Sequence, residues 1–312
     1  MILVLGGTTE GRLAVKVLDE SGKPYFYSTR GDSQQVSCRH GERVSGGMDA
    51  EKMEAFCRAN DIRLLVDAAH PFAVRLHETV EQVSRSLQLP VVRFERIYPP
   101  RTDEVIWCAD YQEVVRRLKE DGITRLLALT GVQTIGKLRD FWADDTLQPT
   151  CWFRILDREE SVSLAVRQGF DANRLVFYHE GAPETELLEQ LKPQAILTKE
   201  SGESGGFVEK LEAARRGGIP VYAVCRPSLP VDFITVTGIH GLRKAVERLL
   251  PDFYPLRSGY TTGACATAAA KAALIRLLTG ESLSEVRFRI PDGEELSLPL
   301  ASVCQETDLS LI

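Results

Sequence analysis

MILVLGGTTEGRLAVKVLDESGKPYFYSTR, residues 1–30, decides the fold class. Ile2 to Leu5 is a short apolar run that predicts a strand. It enters Gly6-Gly7-Thr8-Thr9-Glu10-Gly11, and a helical pattern runs from Gly11 to Glu20, ending at Gly22. Tyr25 to Ser28 reads as the next strand. Strand, glycine turn, helix and strand make the opening of a βαβ unit, whose right-handed crossover lays the two strands parallel. Glycines let the backbone approach an anion, and the helix that follows offers unpaired N–H groups and the positive end of its dipole. Thr8 and Thr9 add hydroxyl donors. In a doubly wound sheet a dinucleotide pyrophosphate binds at this place. Thr8 stands where the G-x-G-x-x-G pattern has its middle glycine, and a ligand-free turn needing positive φ would use similar letters.

The second strand ends in Ser28-Thr29-Arg30-Gly31-Asp32. NAD-binding domains place a carboxylate at that strand end to hold the ribose hydroxyls. Here hydroxyls and an arginine stand there instead, which suits a 2′-phosphate and favours NADPH. A solvated loop arginine is the plain alternative. The expected cofactor residues of this half are Gly6, Gly7, Thr8, Thr9, Glu10, Ser28, Thr29 and Arg30.

The same alternation continues outward. Asp49 to Ala59 reads as helix, Leu64 to Asp67 as strand, Phe72 to Leu87 as helix and Val91 to Phe94 as strand. Pro99 and Pro100 cannot continue a helix or sit in a central strand, so a domain junction is placed there. Strands resume at Leu126 to Leu129, Cys151 to Ile155, Leu175 to Phe177, Ala195 to Leu197 and Val221 to Val224. Helices fill about 110–120, 159–168, 184–191 and 206–216, and a last one runs from Leu242 to Leu250. The expected fold is α/β, with two Rossmann-like domains of parallel sheet at 1–97 and 98–252, a cleft between them, and a short partial segment at 253–312. That segment holds an alanine-rich helix after Gly259-Tyr260-Thr261-Thr262-Gly263, then strand-like stretches at Val286 to Ile290 and Leu296 to Leu298.

Bulk properties narrow the function classes. At 312 residues the chain exceeds one ordinary core, and 44% hydrophobic with 26% charged residues is the composition of a globular protein. A net charge of -6 argues against a nucleic-acid partner, which needs a basic face. Seven cysteines lie singly, with no C-x-x-C pair and no zinc spacing, so neither a disulfide framework nor a protein metal site is expected. The N-terminus lacks a basic signal-peptide region, and no apolar run reaches about 18 residues. The cytoplasm, without membrane contact, is the expected location.

Further chemistry gathers at strand ends. Asp67-Ala68-Ala69-His70-Pro71-Phe72-Ala73 follows a predicted strand, where ligands of parallel sheets collect. Asp67 and His70 are the catalytic candidates, able to position or protonate a substrate. Capping of the next helix, with Pro71 at its first position, is the competing reading. His77 is expected at the surface. Thr130-Gly131 gives the second half its own glycine turn, and Lys199, Ser201 and Gly202 open a glycine-serine loop suited to an anion or the nicotinamide ribose. These five are further cofactor candidates. The loop lacks G-K-[ST], which argues against nucleotide hydrolysis. Arg93, Arg96 and Arg101 bracket the junction and suit a polycarboxylate, and with Gly205 and Gly206 they are the substrate-binding candidates. Three solvated arginines would read the same.

GGTTEGRLA at the N-terminus, DAAHPFA at 67–73, RFERIYPP at 93–100, LLALTG at 126–131 and KESGESGGFVEKLEAA from Lys199 together resemble the precorrin-6A reductase family. The likeness covers roughly residues 1–250, with the motifs in the expected order. It implies two Rossmann-like domains with NADPH and a tetrapyrrole, precorrin-6A or cobalt-precorrin-6A, in the cleft between them. It also implies reduction of one macrocycle double bond by hydride transfer, then protonation of the neighbouring carbon, in corrin ring biosynthesis. That is an NADP-dependent oxidoreductase acting on a CH–CH group. His70 is the first candidate for the proton donor, beside solvent and a substrate carboxylate. LRSGYTTGACATAAAKAAL, from Leu256, resembles the opening of the cobalt-precorrin-5B C1-methyltransferase family. That likeness favours the cobalt-containing substrate, and other corrin-pathway enzymes become expected partners. Only the first part of that second family is matched, so no methyl transfer is expected; product in an S-adenosylmethionine assay would refute this.

Two rivals remain. A short-chain dehydrogenase needs Tyr-x-x-x-Lys, and no tyrosine here has lysine four positions on. A non-catalytic NADPH-binding regulatory module is the other, and it leaves the extra arginines and the second glycine loop without a use. NADPH oxidation that depends on added tetrapyrrole separates enzyme from module.

Overall fold

The computed structural model describes residues 1–31, 36–179, 181, 184–256, 258–291 and 293–300. The chain forms two compact units: Met1–Ile97 together with the chain from Leu229 onward, and Tyr98–Ser228. In the first unit β1 (Ile2–Leu5), α1 (Thr9–Asp19), β2 (Tyr25–Thr29), β3 (Gly41–Ser45), α2 (Ala50–Ala59), β4 (Leu64–Asp67), α3 (Val74–Leu87) and β5 (Val91–Glu95) follow one another. Every residue of β1, β2, β4 and β5 is buried, as in a parallel sheet covered on both faces. Alternation divides these strands between two apolar layers. Ile2, Val4 and Val66 pack with Ala14 and Leu18 of α1, while Leu3, Leu5 and Leu65 pack with Met53 of α2 and Val80 and Val83 of α3.

The second unit runs through β6 (Val105–Cys108), α4 (Tyr111–Glu120), β7 (Arg125–Ala128), α5 (Arg139–Trp142), β8 (Thr150–Leu156), α6 (Glu159–Arg167), β9 (Leu175–Tyr178), α7 (Glu184–Leu191), β10 (Ala195–Lys199), α8 (Phe207–Arg216) and β11 (Val221–Val224). The chain then returns to the first unit with β12 (Ile234–Thr237) and α9 (Gly238–Leu249). Among the described residues the strands make two six-stranded, wholly parallel sheets, in the orders β12-β5-β4-β1-β2-β3 and β6-β11-β10-β7-β8-β9.

Each order contains one reversal. The first sheet grows from β1 to β2 and β3, then resumes on the other side of β1 with β4 and β5. The second grows from β7 to β8 and β9, then resumes beside β7 with β10 and β11. Loops leaving the two strands at a reversal diverge to opposite faces and open a crevice at their carboxyl ends. The crevices therefore lie between the loops after β1 and β4, and between those after β7 and β10.

The sixth strands are exchanged along the chain. β6 follows β5 in sequence but pairs with β11, and β12 follows β11 but pairs with β5. The expected second domain, 98–252, thus loses its last part to the first unit. Ile234 to Thr237 run in register with Val92 to Glu95, and α9 buries Leu242, Ala245 and Val246 in the layer formed by α1. After them α10 (Thr262–Thr279) covers the antiparallel hairpin of β13 (Glu285–Arg289) and β14 (Glu295–Pro299), with a small core of Ala268, Ala272, Val286, Leu296 and Leu298. Buried Glu294 accepts hydrogen bonds from the backbone N–H of His240 and Gly241, capping α9. Residues 301–312, the end of the expected partial segment, lie outside the described residues.

Candidate active site

The first crevice begins at the turn after β1. A Cβ on Gly6 would lie 2.3 Å from the ring of Tyr27, a fully buried side chain whose hydroxyl accepts from Gly7 N at 3.1 Å. Only glycine fits there. Gly7 has φ +98, and among the described residues nothing beyond its chain neighbours lies within 4 Å of where its Cβ would be, so open space stands over the turn beside the α1 N-terminus. Thr8 differs from the expected free donor: its hydroxyl accepts from Gly11 N at 3.0 Å, capping α1, and donates to Ala68 O at 2.6 Å. It thereby ties the loops after β1 and β4 together. Thr9 Oγ1 accepts from Arg12. Glu10 is buried, and its carboxylate accepts from Arg96 Nε at 3.0 Å. At the end of β2, Ser28 and Thr29 are buried, Ser28 O accepts from Gly6 N, and Arg30 is exposed.

Across the crevice, Asp67 ends β4 with no exposure. Its carboxylate accepts from Ala69 N at 3.1 Å and Arg93 Nη1 at 3.0 Å, and lies 2.6 Å from His77 Nδ1. His77 is therefore buried, contrary to its expected surface position, because α3 turns it back under the loop, with Nε2 3.2 Å from His70 O. Asp67 pairs with His77 and not with the His70 ring. Phe72 N donates to His70 Nδ1 at 3.2 Å, which leaves the proton of the neutral ring on Nε2. His70 does not cap α3, which starts later, at Val74, after a turn closed by Ala73 N on His70 O.

Arg93 also differs from expectation. Its guanidinium has no exposure and is held by Asp67, Glu95 and Ala69 O. It is a strut beneath the crevice and presents no surface to a dissolved carboxylate. Arg96 is buried too, against Glu10. His77, Asp67, Arg93, Glu95, Arg96 and Glu10 thus form a buried chain of groups, with Arg96 N donating to Glu95, that runs from α3 to the first turn of α1.

Burial pushes the Asp67 carboxyl up, but the hydrogen bond from His77 and the charge of Arg93 outweigh it and hold the group below its usual range. A carboxyl depressed in the folded state stabilises fully above its unfolded value and ceases to do so as pH falls through the folded one. The melting temperature is therefore expected to decline steeply below about pH 4, and Asp67→Asn to flatten that limb of the curve. An unchanged slope in the variant would remove Asp67 from the acid response.

The second crevice holds the remaining candidates. Thr130 is buried with its hydroxyl 2.6 Å from that of Thr134, and Gly131 turns the chain at φ +82. Lys199 is half-buried at the end of β10. In the loop that follows, Ser201 Oγ and Lys210 Nζ both donate to Gly205 O, at 3.1 and 2.8 Å. Gly202 and Gly206 have φ +71 and +66, and Gly206 leaves the α8 N-terminus without a side-chain cap. Lys210 escaped the sequence reading, since a lysine inside a helix looks like any solvated one; burial, reinforced by nearby Arg154, pushes its ammonium down to about 8. Arg101 is half exposed and grips buried Glu200 through Nε and Nη2. A groove of about 320 Å³ lies elsewhere, between α7 and α8 at the amino ends of the strands. Among the described residues no group of three or more His, Cys, Asp or Glu is arranged to hold a metal ion, and no helix is long and apolar enough to cross a membrane.

Two parallel sheets, each with a reversal crevice, define a doubly wound α/β protein of the dinucleotide-binding architecture. The family model described as precorrin-6x reductase CbiJ/CobK matches residues 1–249, and the CbiD model matches residues 251–311. A cobalt-precorrin-6A reductase of Methanothermobacter thermautotrophicus is 29% identical, over 80% of this chain and 85% of that protein. A precorrin-6A reductase of Rhodococcus erythropolis is 31% identical, over 77% of this chain and 94% of that protein. Among solved structures, the CobK precorrin-6A reductase superposes with a TM-score of 0.65 at 22% identity, covering 83% of this chain and 99% of its own, which supports the fold. The chain belongs to the precorrin-6x reductase family. Membership places it among the oxidoreductases of cobalamin biosynthesis.

Proposed function

We propose that the chain reduces one double bond of precorrin-6A, in its cobalt-containing form, with NADPH as the reductant. The observation that carries this reading is the turn after β1: a Gly6 that admits no side chain, open space over Gly7, and a helix N-terminus beside it. These residues fit a pyrophosphate, and exposed Arg30 at the end of β2 fits a 2′-phosphate. NADPH, when bound, supplies the hydride. Thr8 holds the phosphate turn to the β4 loop, and Arg96 neutralises Glu10, whose charge would otherwise oppose an anion at the helix start. His70 is the residue proposed to donate a hydrogen bond or proton at the second carbon, while Asp67 and His77 hold its loop. Lys199, Ser201, Gly202 and the Thr130-Gly131 turn serve the ribose end, and Arg101 with the Gly205-Gly206 backbone serves the substrate. The CbiD match at residues 251–311 favours the cobalt form and a chemistry linked to corrin-ring methylation.

The test is NADPH oxidation by the purified chain with cobalt-precorrin-6A. Turnover that requires the tetrapyrrole is the expected result, and NADPH binding without turnover overturns the enzyme reading. Arg30→Ala is expected to raise KM for NADPH between about 10- and 100-fold, since charge-assisted bonds to phosphate contribute about 1.5–3 kcal/mol. The rate with NADH should be the same in the variant and the unaltered chain. Equal loss with both nucleotides would remove Arg30 from 2′-phosphate recognition.

A further inference from the structure

Glu200 follows β10 directly and is almost wholly buried, yet four donors converge on it. Arg101 gives Nε to Oε1 at 3.2 Å and Nη2 to Oε2 at 2.8 Å. Arg226, just past β11, gives its backbone N to Oε2 at 2.9 Å and Nη1 to Oε1 at 2.7 Å. One carboxylate therefore draws two guanidinium ions to the carboxyl ends of neighbouring strands and leaves an excess positive charge. Each arginine is braced by an aromatic face: Arg226 lies 3.7 Å from the Tyr98 ring centre, and Arg101 5.1 Å from that of Trp107. Their side chains nonetheless stay 50% and 37% exposed for Arg101 and Arg226. Arg101 Nη1 and Arg226 Nε and Nη2 have no hydrogen-bond partner among the described residues.

A device that only staples the chain before β6 to β11 has no use for a surplus charge or for outward donors. Two rigidly held guanidinium groups with their remaining N–H bonds facing solvent instead match the fork of a further carboxylate or the oxygens of a phosphate. We propose that Arg101 and Arg226, set by Glu200, form a paired anion reader for a peripheral carboxylate of the polycarboxylate substrate, with Arg226 the specificity residue that the linear sequence concealed. This rests on the tetrapyrrole reductase reading above.

The experiment compares Arg226→Gln, Arg226→Lys and the double variant Arg101→Gln/Arg226→Gln with the unaltered chain and with Arg116→Gln, a control on the outer face of α4. Arg226→Gln should raise KM for cobalt-precorrin-6A about tenfold, the size of one lost charge-assisted bond. Arg226→Lys should fall between, because charge survives but the planar fork does not. The double variant should lose more and show a shallower dependence of KM on salt, with kcat and KM for NADPH within about twofold of the unaltered chain. A KM for the tetrapyrrole that stays put in every variant while the melting temperature drops overturns the proposal in favour of a staple. A rise confined to KM for NADPH also overturns it, by assigning the anion to the cofactor. Uroporphyrin, a macrocycle bearing eight carboxylates, provides a separate binding titration. If the unaltered chain shows no turnover, the reductase reading fails, and tighter uroporphyrin binding by the unaltered chain than by Arg226→Gln still decides the anion pair.

Discussion

Arg93→Ala is expected to destabilise the protein by about 3–5 kcal/mol, the usual consequence of removing one partner from a buried ion pair. The loss would be felt at two carboxylates at once, because Arg93 bridges Asp67 and Glu95 under the first crevice. It also removes the donor to Ala69 O in the loop that carries His70. For a chain of this length the melting temperature should fall by about 10 °C, at roughly 2–4 °C per kcal/mol. Arg93→Met is the informative companion. It fills most of the volume, so a similar loss would assign the effect to unpaired charge, and near-normal stability would assign it to packing. A melting temperature within about 2 °C of the unaltered chain for both variants, where one kcal/mol is already about that much, would contradict the strut.

Gly6→Ala should cost less stability but abolish NADPH binding at accessible concentrations. The added methyl would meet Tyr27 at 2.3 Å, and the ring is walled in by the first unit's core. Overpacking of this kind costs about 1–3 kcal/mol when the neighbour has to shift. Any shift of Tyr27 withdraws the hydroxyl from Gly7 N, so the turn deforms where the pyrophosphate is proposed to sit. We expect affinity to fall by about 100-fold or more, from lost close approach as well as lost turn geometry. Gly22→Ala supplies the contrast. Gly22 has φ +69 and, among the described residues, nothing beyond its chain neighbours within 4 Å of its would-be Cβ, so alanine there is strained but remote from the turn. It should lower the melting temperature and leave the NADPH dissociation constant alone. Calorimetric titration of both variants reads the difference, and equal affinity in Gly6→Ala and the unaltered chain would dismiss the turn as the phosphate site.

Legibility in the sequence followed burial. β1, β2, β4, β5, β10 and β11 each open on apolar residues because both faces of the sheet are covered, and an apolar run needs no partner to be recognised. The three strands that were not read are β3, β6 and β12, each at a sheet edge. Gly41-Glu42-Arg43-Val44-Ser45 exposes its two charges and has no periodicity to announce it. Ile234 to Thr237 alternates well enough, but nothing local says that it pairs with Val92 to Glu95.

Side-chain roles divided the same way. The glycine turn was legible since strand, turn and helix follow one another without a break from Ile2 to Asp19. The fates of Arg93 and Arg101 were not, because RFERIYPPR, residues 93–101, presents similar cations whose difference lies in what β4 and β10 bring up beside them. His77 was hidden for a related reason: the turn from His70 to Ala73 delays α3 and swings the residue back beneath Asp67. Thr8 looked like a ligand donor and serves as a cap and tether. A hydroxyl next to a helix start has both uses, and only the position of Ala68 O separates them.

The exchange of edge strands bears on how the molecule comes into being. Neither sheet is finished until chain made much later, or much earlier, reaches it: β5 waits for β12, and β11 for the already synthesised β6. Pairings so distant along the polypeptide raise contact order and delay the transition state. The first hundred residues, expressed alone, would present β5 as a bare ribbon of unsatisfied amides, an aggregation hazard. Severing the polypeptide at the proline pair would accordingly yield two sticky pieces in place of two free-standing domains, soluble chiefly when mixed.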